Sequence, residues 1–503
     1  MLGEARRIPV IVGVGQVNDR PAEVRQGLDS LALMQSALRE ADIDGGGGWV
    51  TRLDSLAVVD QISFPRLNPL PKKLADQLAA APRIAYQTAI PSGDSPILLL
   101  NEAANRIAAG EIEVAAIVGG EALRTAACRA AELTNDDISS HNVLRIQANK
   151  KAPTYQSRYG LSTPVDIYPL YENAGRAAYG QSLQEAQQES GLIWSLFSRV
   201  AAHSAGAWIK SPRTPAEIVT PGPENRPIAF PYNKLMVANS SVNQGAGFLV
   251  TSLAAALEAG VPEDRLVYVG RGAAAHEPDD VLARDRFDRT TAMEVSIRRA
   301  MKLNEITAAD LDFVELYSCF PCVPKMARRI IGWPADKPAS VFGGLTFGGG
   351  PIGNYMSHAV VNMVLKLRER GRKGLLFANG GYAAHNHTLI IGREPPPTDF
   401  LPHGFDFQAE ADGKRGPAPF QDESYEGPGK IETYTVLYQR NAEPKFGVIV
   451  ARTPQGARFL AKVPSEDVAG IAFLTNGLKE PVGTKGSAAR GPGGDIVWSH
   501  SLV

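Results

Sequence analysis

Two of the three cysteines in the chain lie close together, as Cys319-Phe-Pro-Cys322. A strand-like apolar run precedes them and a helical pattern follows. That context can lower a thiol pKa, which suits a redox pair or a nucleophile at Cys319. The plainer reading is two ordinary thiols on a loop. Cys128 is distant in sequence, and zinc needs further ligands at motif spacing, so no metal site is expected. His385 and His387 follow the pair Gly380-Gly381, and His358 follows Gly350 on a helical stretch. Each could act as a base or serve as a hydrogen-bonded structural imidazole. Gly13-Val-Gly15 follows an apolar strand, but the next positions do not complete G-x-G-x-x-G, so no dinucleotide site is read there.

The elements that must hold these groups alternate between strand and helix. Residues 9–14 and 55–60 read as short buried strands, 28–41 as an amphipathic helix, and 113–118 as a third strand ending in Gly119-Gly120. Such alternation predicts a mostly parallel sheet covered by helices. The pattern returns later. NEAANRIAAGEIEVAAIVGG at 101–120 has a counterpart in VNMVLKLRERGRKGLLFANGG at 361–381, each a helix, a glycine stop, a strand and a glycine pair. Two similar α/β halves, 1–124 and 250–394, are the economical reading. Between them, 125–249 reads as an inserted loop domain. Residues 395–426 open on a Pro-rich break and read as a linker. The tail, 427–503, changes to strand-like runs bounded by Pro and Gly and reads as a separate small β-barrel.

Bulk composition narrows the function. The 503 residues, 44% hydrophobic, exceed what one core can organise, so several domains are expected. Basic and acidic residues number 52 and 53, so no whole-chain attraction to nucleic acid or anionic membrane arises. The tail carries 9 Lys or Arg against 6 Asp or Glu, too small an excess to favour a nucleic-acid groove. Packing of the tail against the core, or binding of a protein partner, is the better expectation. No run approaches the roughly 20 apolar residues of a membrane helix. The short apolar run near the N-terminus is too brief for a signal-peptide core, and three cysteines suit a reducing compartment, so the cytoplasm is expected.

Four segments then stand in a telling order: PSGDSPILLLNEA at 91–103, VELYSCFP at 314–321, GGLTFGGGPIG at 343–353 and FANGGYAAHN at 377–386. Their order and the two-half layout resemble the thiolase superfamily, in particular its sterol-carrier type. The β tail resembles the branch called thiolase-like proteins type one. The resemblance implies a duplicated thiolase fold, layered α-β-α-β-α, plus a small C-terminal antiparallel β-barrel. It also implies coenzyme A or an acyl-CoA as ligand, in lipid or sterol metabolism.

The same resemblance locates the reactive positions, and they are altered. The family's nucleophilic cysteine falls on Gly93, or on Ser92 with a one-residue slip. The residue that polarises a thioester oxygen falls on Tyr317, whose phenol can still donate a hydrogen bond. The base falls on Gly350, and the second cysteine on Ala378. Ordinary thiolysis or Claisen condensation is therefore not expected, since nucleophile and base have no substitute there. An acyltransferase using Ser92 or Cys319, with His385 as a relocated base, is one rival. A non-catalytic subunit of an acyl-CoA enzyme, with the β domain fused in cis, is another. In the family the loop domain covers the coenzyme, so Lys210, Arg213 and Lys234 are candidate phosphate contacts. Ser240 and Asn243 lie in the stretch read as re-entering the second half, and are candidates for the pantetheine slot.

Overall fold

The computed structural model describes residues 2–134, 154–395 and 402–500. Residues 396–401 of the Pro-rich break, and the last three residues, lie outside them. Nine strands form one mixed sheet in the order β3-β2-β4-β7-β1-β8-β11-β10-β9. In the first half these are β1 (Pro9–Asn18), β2 (Ser55–Val58), β3 (Ile84–Gln87), β4 (Val114–Ala122) and β7 (Asn243–Ser252). In the second they are β8 (Val267–His276), β9 (Phe313–Leu316), β10 (Lys373–Gly380) and β11 (His385–Gly392).

The duplication is visible strand by strand. β2–β4 and β9–β10 are parallel, while β4–β7–β1 and β10–β11–β8 are antiparallel. The halves join where β1 meets β8, at Val10 opposite Tyr268 and Ile11 opposite Val267. One boundary differs from the sequence reading. The stretch entering at Asn243 does not open the second half; β7 lies between β4 and β1 of the first. Its small residues permit this, since Gly245 sits against the Leu33 backbone with no room for a side chain.

Helix α1 (Ser30–Asp44) covers β1, β7 and β4 from outside. Helix α2 (Ser95–Ala109) buries a broad apolar face, through Ile97, Leu99, Leu100, Ala103, Ala104, Ile107 and Ala108. Glu102, Asn105 and Arg106, on the remaining side, are half-buried. α2 packs against β4, β7 and β1 and also against β8, β11 and β10. In the loop region lies α3 (Pro164–Ala178), followed by α4 (Leu183–His203). In the second half, α5 (Thr291–Leu303) covers β8 and β11. α6 (Cys322–Ile331) follows β9, and α7 (Tyr355–Glu369) joins α2 in the middle, touching strands of both halves. The layers are thus α1, first-half strands, α2 and α7, second-half strands, α5.

The expected linker is partly built into this core. Phe405 accepts a bond from Ala274 N–H at 2.6 Å, and α8 (Gln408–Lys414) packs on α5. Arg415 pairs with the buried Glu277 at 2.6 Å, which fixes the segment in place.

The C-terminal strands are β12 (Gly427–Tyr438), β13 (Pro444–Arg452), β14 (Arg458–Pro464), β15 (Lys485–Arg490) and β16 (Ile496–His500), with α9 (Val468–Thr475) between β14 and β15. They close as β12-β13-β14-β16-β15-β12, a five-stranded barrel with the connectivity of an OB-fold. Its pairings are antiparallel, as expected, apart from β14 with β16, which is parallel. Two short strands of the loop region, β5 (Pro227–Ala229) and β6 (Tyr232–Asn233), extend the sheet beyond β12.

The barrel is welded to the core. Thr433 hydroxyl donates to Leu170 O at 2.6 Å and Asn173 Nδ2 to Tyr434 O at 2.9 Å. The buried Arg458 donates to Arg284 O at 2.6 Å and stacks over Phe287. Among the described residues, no helix is long and apolar enough to cross a membrane.

Candidate functional site

The four sequence landmarks meet at the N-terminal end of α2. Asp94 occupies the cap position, and Pro96 sits in the first turn, where a missing N–H costs nothing. The Asp94 carboxylate does not cap the helix; it accepts the Ser92 hydroxyl instead. Asp94 is buried and Ser92 half-buried.

Gly93 faces the second and fourth landmarks. A Cβ built there would overlap the Tyr317 hydroxyl and the Asn379 carbonyl. Tyr317 is buried and edge-on to Tyr355, with centroids 5.9 Å apart. Burial, with Cys319 and Asp94 nearby, holds its phenol well above the usual value, so it stays protonated. Asn379 is fixed from two sides. Its Oδ1 accepts the Tyr168 hydroxyl at 3.0 Å and its Nδ2 donates to Asn386 at 3.0 Å. Ala378 is fully buried in β10 opposite His387.

The third landmark wraps over this end. Gly350 N–H donates to Asn239 O at 2.8 Å, and a Cβ on Gly350 would press on Asn239 O and Leu345 O at 3.2 and 3.3 Å. Gly349 has φ +105°, and Gln244 fills the space beside it, donating to Gly348 O at 2.9 Å. Trp208 and Ile209 N–H groups donate to Gly348 and Phe347 carbonyls.

His385 and His387 are two residues apart on β11 and so share a face. His387 is buried against Asn101 of α2, 2.9 Å from its Nδ2, and burial pushes it down to about 4. His385 is half-buried, 3.5 Å from Asp279, and edge-on to His276 at 4.8 Å. Burial and His385 lower His276. His358 stacks on Phe342 at 5.1 Å, bonds Gln16 Oε1 at 3.1 Å, and is pushed by burial to about 3. Nδ1 of His387 and Nε2 of His358 have no partner among the described residues.

Both C-x-x-C thiols are buried. Burial pushes Cys319 up to about 12 and Cys322 well above its ordinary value. Cys322 donates weakly to Tyr168 O at 3.7 Å. Protonated thiols are poor nucleophiles and poor redox partners, so the helix start does not activate them. Among the described residues, no group of three or more His, Cys, Asp or Glu could hold a metal.

The loop candidates divide. Lys210 and Lys234 are exposed. Arg213 pairs with Glu217 at 3.2 Å. Ser240 is half-buried beside Asn239. Asn243 is fully buried and already engaged: it accepts Thr125 N–H at 3.1 Å and donates to Thr125 Oγ1 at 2.8 Å. It clamps the chain after β4 and has nothing to offer a ligand, which corrects its assignment to the slot.

Sequence reasoning missed Tyr168, Asn379, Gln16 and Glu315. Glu315 is buried on β9, takes Tyr355 OH at 2.7 Å and Ser340 Oγ at 2.9 Å, and is pushed by burial up to about 7. Its position two residues before Tyr317, in an otherwise apolar strand, was the available signal.

Comparison with known proteins agrees with this architecture. Residues 406–489 match the family described as thiolase-like protein type 1 additional C-terminal domain. No curated protein matches the sequence. The crystal structure of a monomeric SCP2-thiolase-like protein type 1 from Mycobacterium smegmatis superposes with TM-score 0.82 and 31% identity over 99% of both chains. Human mitochondrial 3-ketoacyl-CoA thiolase in complex with CoA gives 0.57 and 16% identity, over 77% of this chain and 98% of that one. The Ltp2-ChsH2(DUF35) aldolase gives 0.57 and 16%, with the same coverage of 77% and 98%. At those identities the last two share the fold alone. With the full-length match above 30%, the chain belongs to the SCP2-thiolase-like protein type 1 family.

Proposed function

We propose that this chain binds coenzyme A or an acyl-CoA at the end of α2 and does not perform ordinary thiolase chemistry, in lipid or sterol acyl-CoA metabolism. The overlap at Gly93 carries the reading. Where the family's sulfur is expected, the Tyr317 hydroxyl and Asn379 carbonyl occupy the space, so glycine and tyrosine complement each other. A glycine stands where the base is expected, and its N–H is committed to Asn239. The shared fold with a thiolase that binds CoA supports the ligand class.

A second reading, an acyltransferase, draws on one contact: the Ser92 hydroxyl donates to Asp94, a carboxylate able to accept its proton. Cys319 gains no such support, being almost fully protonated at neutral pH. A role as a subunit of an acyl-CoA enzyme draws on the barrel carried in cis, since another structure of this fold is the Ltp2-ChsH2(DUF35) aldolase, a complex with a DUF35 partner.

Calorimetric titration with CoA and a panel of acyl-CoAs, run beside a thiolysis assay, tests the proposal. The expected outcome is binding without turnover. Absence of both heat and thermal stabilisation across the panel removes the ligand. An acyl adduct found by mass spectrometry on the peptide holding Ser92 decides for the acyltransferase.

A further inference from the structure

Arg20 and Arg124 meet over the ring of Trp208. The guanidinium carbon of Arg20 stands 4.1 Å from the ring centroid and that of Arg124 5.6 Å. The indole beneath them is 7% exposed, while both arginines are exposed. Neither guanidinium has a hydrogen bond or ion pair among the described residues. The acids closest to Arg20 in sequence are already engaged. The Asp19 carboxylate accepts Leu28 N–H at 2.8 Å and the Asn243 amide at 3.4 Å, and Glu23 accepts the Gln26 amide at 2.6 Å. Burial and the Arg124 charge lower the Arg20 pKa, the direction expected where two cations share a ring and no anion answers them.

Three segments carry this trio, and each is fixed. Arg20 follows β1, and Asn18 at the end of that strand donates to Gly206 O at 3.2 Å and Ala207 O at 3.1 Å. Those bonds tie Arg20 to the turn before Trp208. Trp208 N–H in turn donates to Gly348 O at 2.9 Å. Arg124 opens the helix Leu123–Thr134 just after β4, and its N–H donates to Val242 O at 3.3 Å. A guanidinium stacked on an indole is held in its plane with its N–H rim open. Two such forks lose little side-chain freedom on binding. Alone, the pair is unfavourable, since like charges share a ring without a counterion. Small ligands are held in concave, mostly apolar pockets, whereas these two arginines stand in solvent. An exposed Arg pair anchored on Trp suits a protein interface, where both residue types are favoured. Carboxylates one helical turn apart lie about 6 Å from each other, a spacing that two guanidiniums over one ring can meet together.

We propose that Arg20, Arg124 and Trp208 form a docking point for an acidic segment of a partner protein. Because Trp208 also holds Gly348, the partner sits beside the glycine-rich loop that wraps the end of α2. The inference stands apart from the CoA reading and from any partner bound through the barrel.

The test is fluorescence anisotropy on the full chain, with a labelled helical peptide carrying glutamates at i and i+4 and with its glutamine counterpart. The glutamate peptide should bind, the glutamine peptide should not, and added salt should weaken the binding. The double variant Arg20→Gln, Arg124→Gln should weaken it about ten-fold or more. Lys445 and Lys479, exposed on the barrel, provide the control. Lys445→Gln with Lys479→Gln removes the same net charge and should leave binding unchanged. The reversed pair Arg20→Glu, Arg124→Glu should bind a lysine peptide of the same spacing, a gain that a misfolded chain cannot give. No binding of the glutamate peptide, an equal loss in both glutamine variants, or no gain in the reversed pair overturns the docking point. Displacement of the peptide by CoA or by inorganic phosphate at matched ionic strength also overturns it, since the arginines then serve a small anion.

Discussion

Gly119 and Gly380 hold matching places near the ends of β4 and β10, and each receives a helix tip from the opposite half. A Cβ on Gly119 would overlap the Asn354 amide at the start of α7; one on Gly380 would overlap the Ser92 hydroxyl and lie 2.7 Å from Asp94 at the start of α2. The exchange is geometrically alike and chemically unlike. Asn354 accepts the Ser357 hydroxyl at 2.6 Å and donates to Ala246 O at 3.4 Å, a neutral arrangement. Asp94 is an acid whose charge acts on His276 and His387. Duplication supplied two equivalent tips, and only the side chains placed on them separate a packed corner from one with ionisable groups.

The largest effect should come from forcing the second tip to resemble the first. In Asn354→Asp, an anionic oxygen replaces the amide that donates to Ala246 O and faces that carbonyl without a proton. The site is almost fully buried. An unpaired charge there should cost about 4 kcal/mol in urea unfolding at pH 7. An unchanged midpoint would mean that either tip tolerates charge and that the two do not differ in this respect.

A smaller effect concerns the buried acid of each half, Glu121 at the end of β4 and Glu315 on β9. Burial pushes both up to about 7 from 4.5, so the folded chain takes up their protons first. Their contribution is complete below pH 4.5 and is lost as pH rises through about 7. His358 and His387 run the opposite way. Held near 3 and 4 against 6.5, they contribute stability above pH 6.5 that is lost as pH falls toward those values. The two pairs offset between pH 6.5 and 4.5, so stability should be nearly flat there and fall below it. Glu315→Gln removes one counterweight. The variant should lose about 2 kcal/mol more than the parent across that window, read from denaturant midpoints at a series of pH values. Parallel profiles would show that Glu315 is ionised in the folded chain.

The sequence made the repeat legible because both helix–strand units keep the same glycine stops, and the barrel legible through its change to strand-like runs. The return of β7 to the first half was not legible, since a buried apolar strand does not declare its neighbours. The docking of residues 405–415 was hidden for a similar reason: its anchors, Ala274 and Glu277, lie about 130 residues away. At the site, the types at Gly93, Tyr317, Gly350 and Ala378 were readable one by one. Their mutual fit was not, because Gly93 and Tyr317 meet only when both halves are assembled. Asn243 misled for the opposite reason. A polar side chain in a predicted slot looks available until its partners, Thr125 and Asp19, are seen.

The finest test converts the first tip toward the second. In Asp94→Asn the carboxylate is lost while the shape is kept. Asp94 raises both His276 and His387, against the burial that lowers them. Both imidazoles should therefore titrate lower in the variant, by about half a pH unit for charges in a partly buried setting. His358, on α7, has burial as the cause of its lowered value and should not move. Imidazole titration followed by NMR resolves the three rings. If His276 and His387 stay where they are, or rise, the Asp94 charge does not reach them. The two tips would then differ only in name, and the ionisable corner at α2 would be ordinary packing like its counterpart at α7.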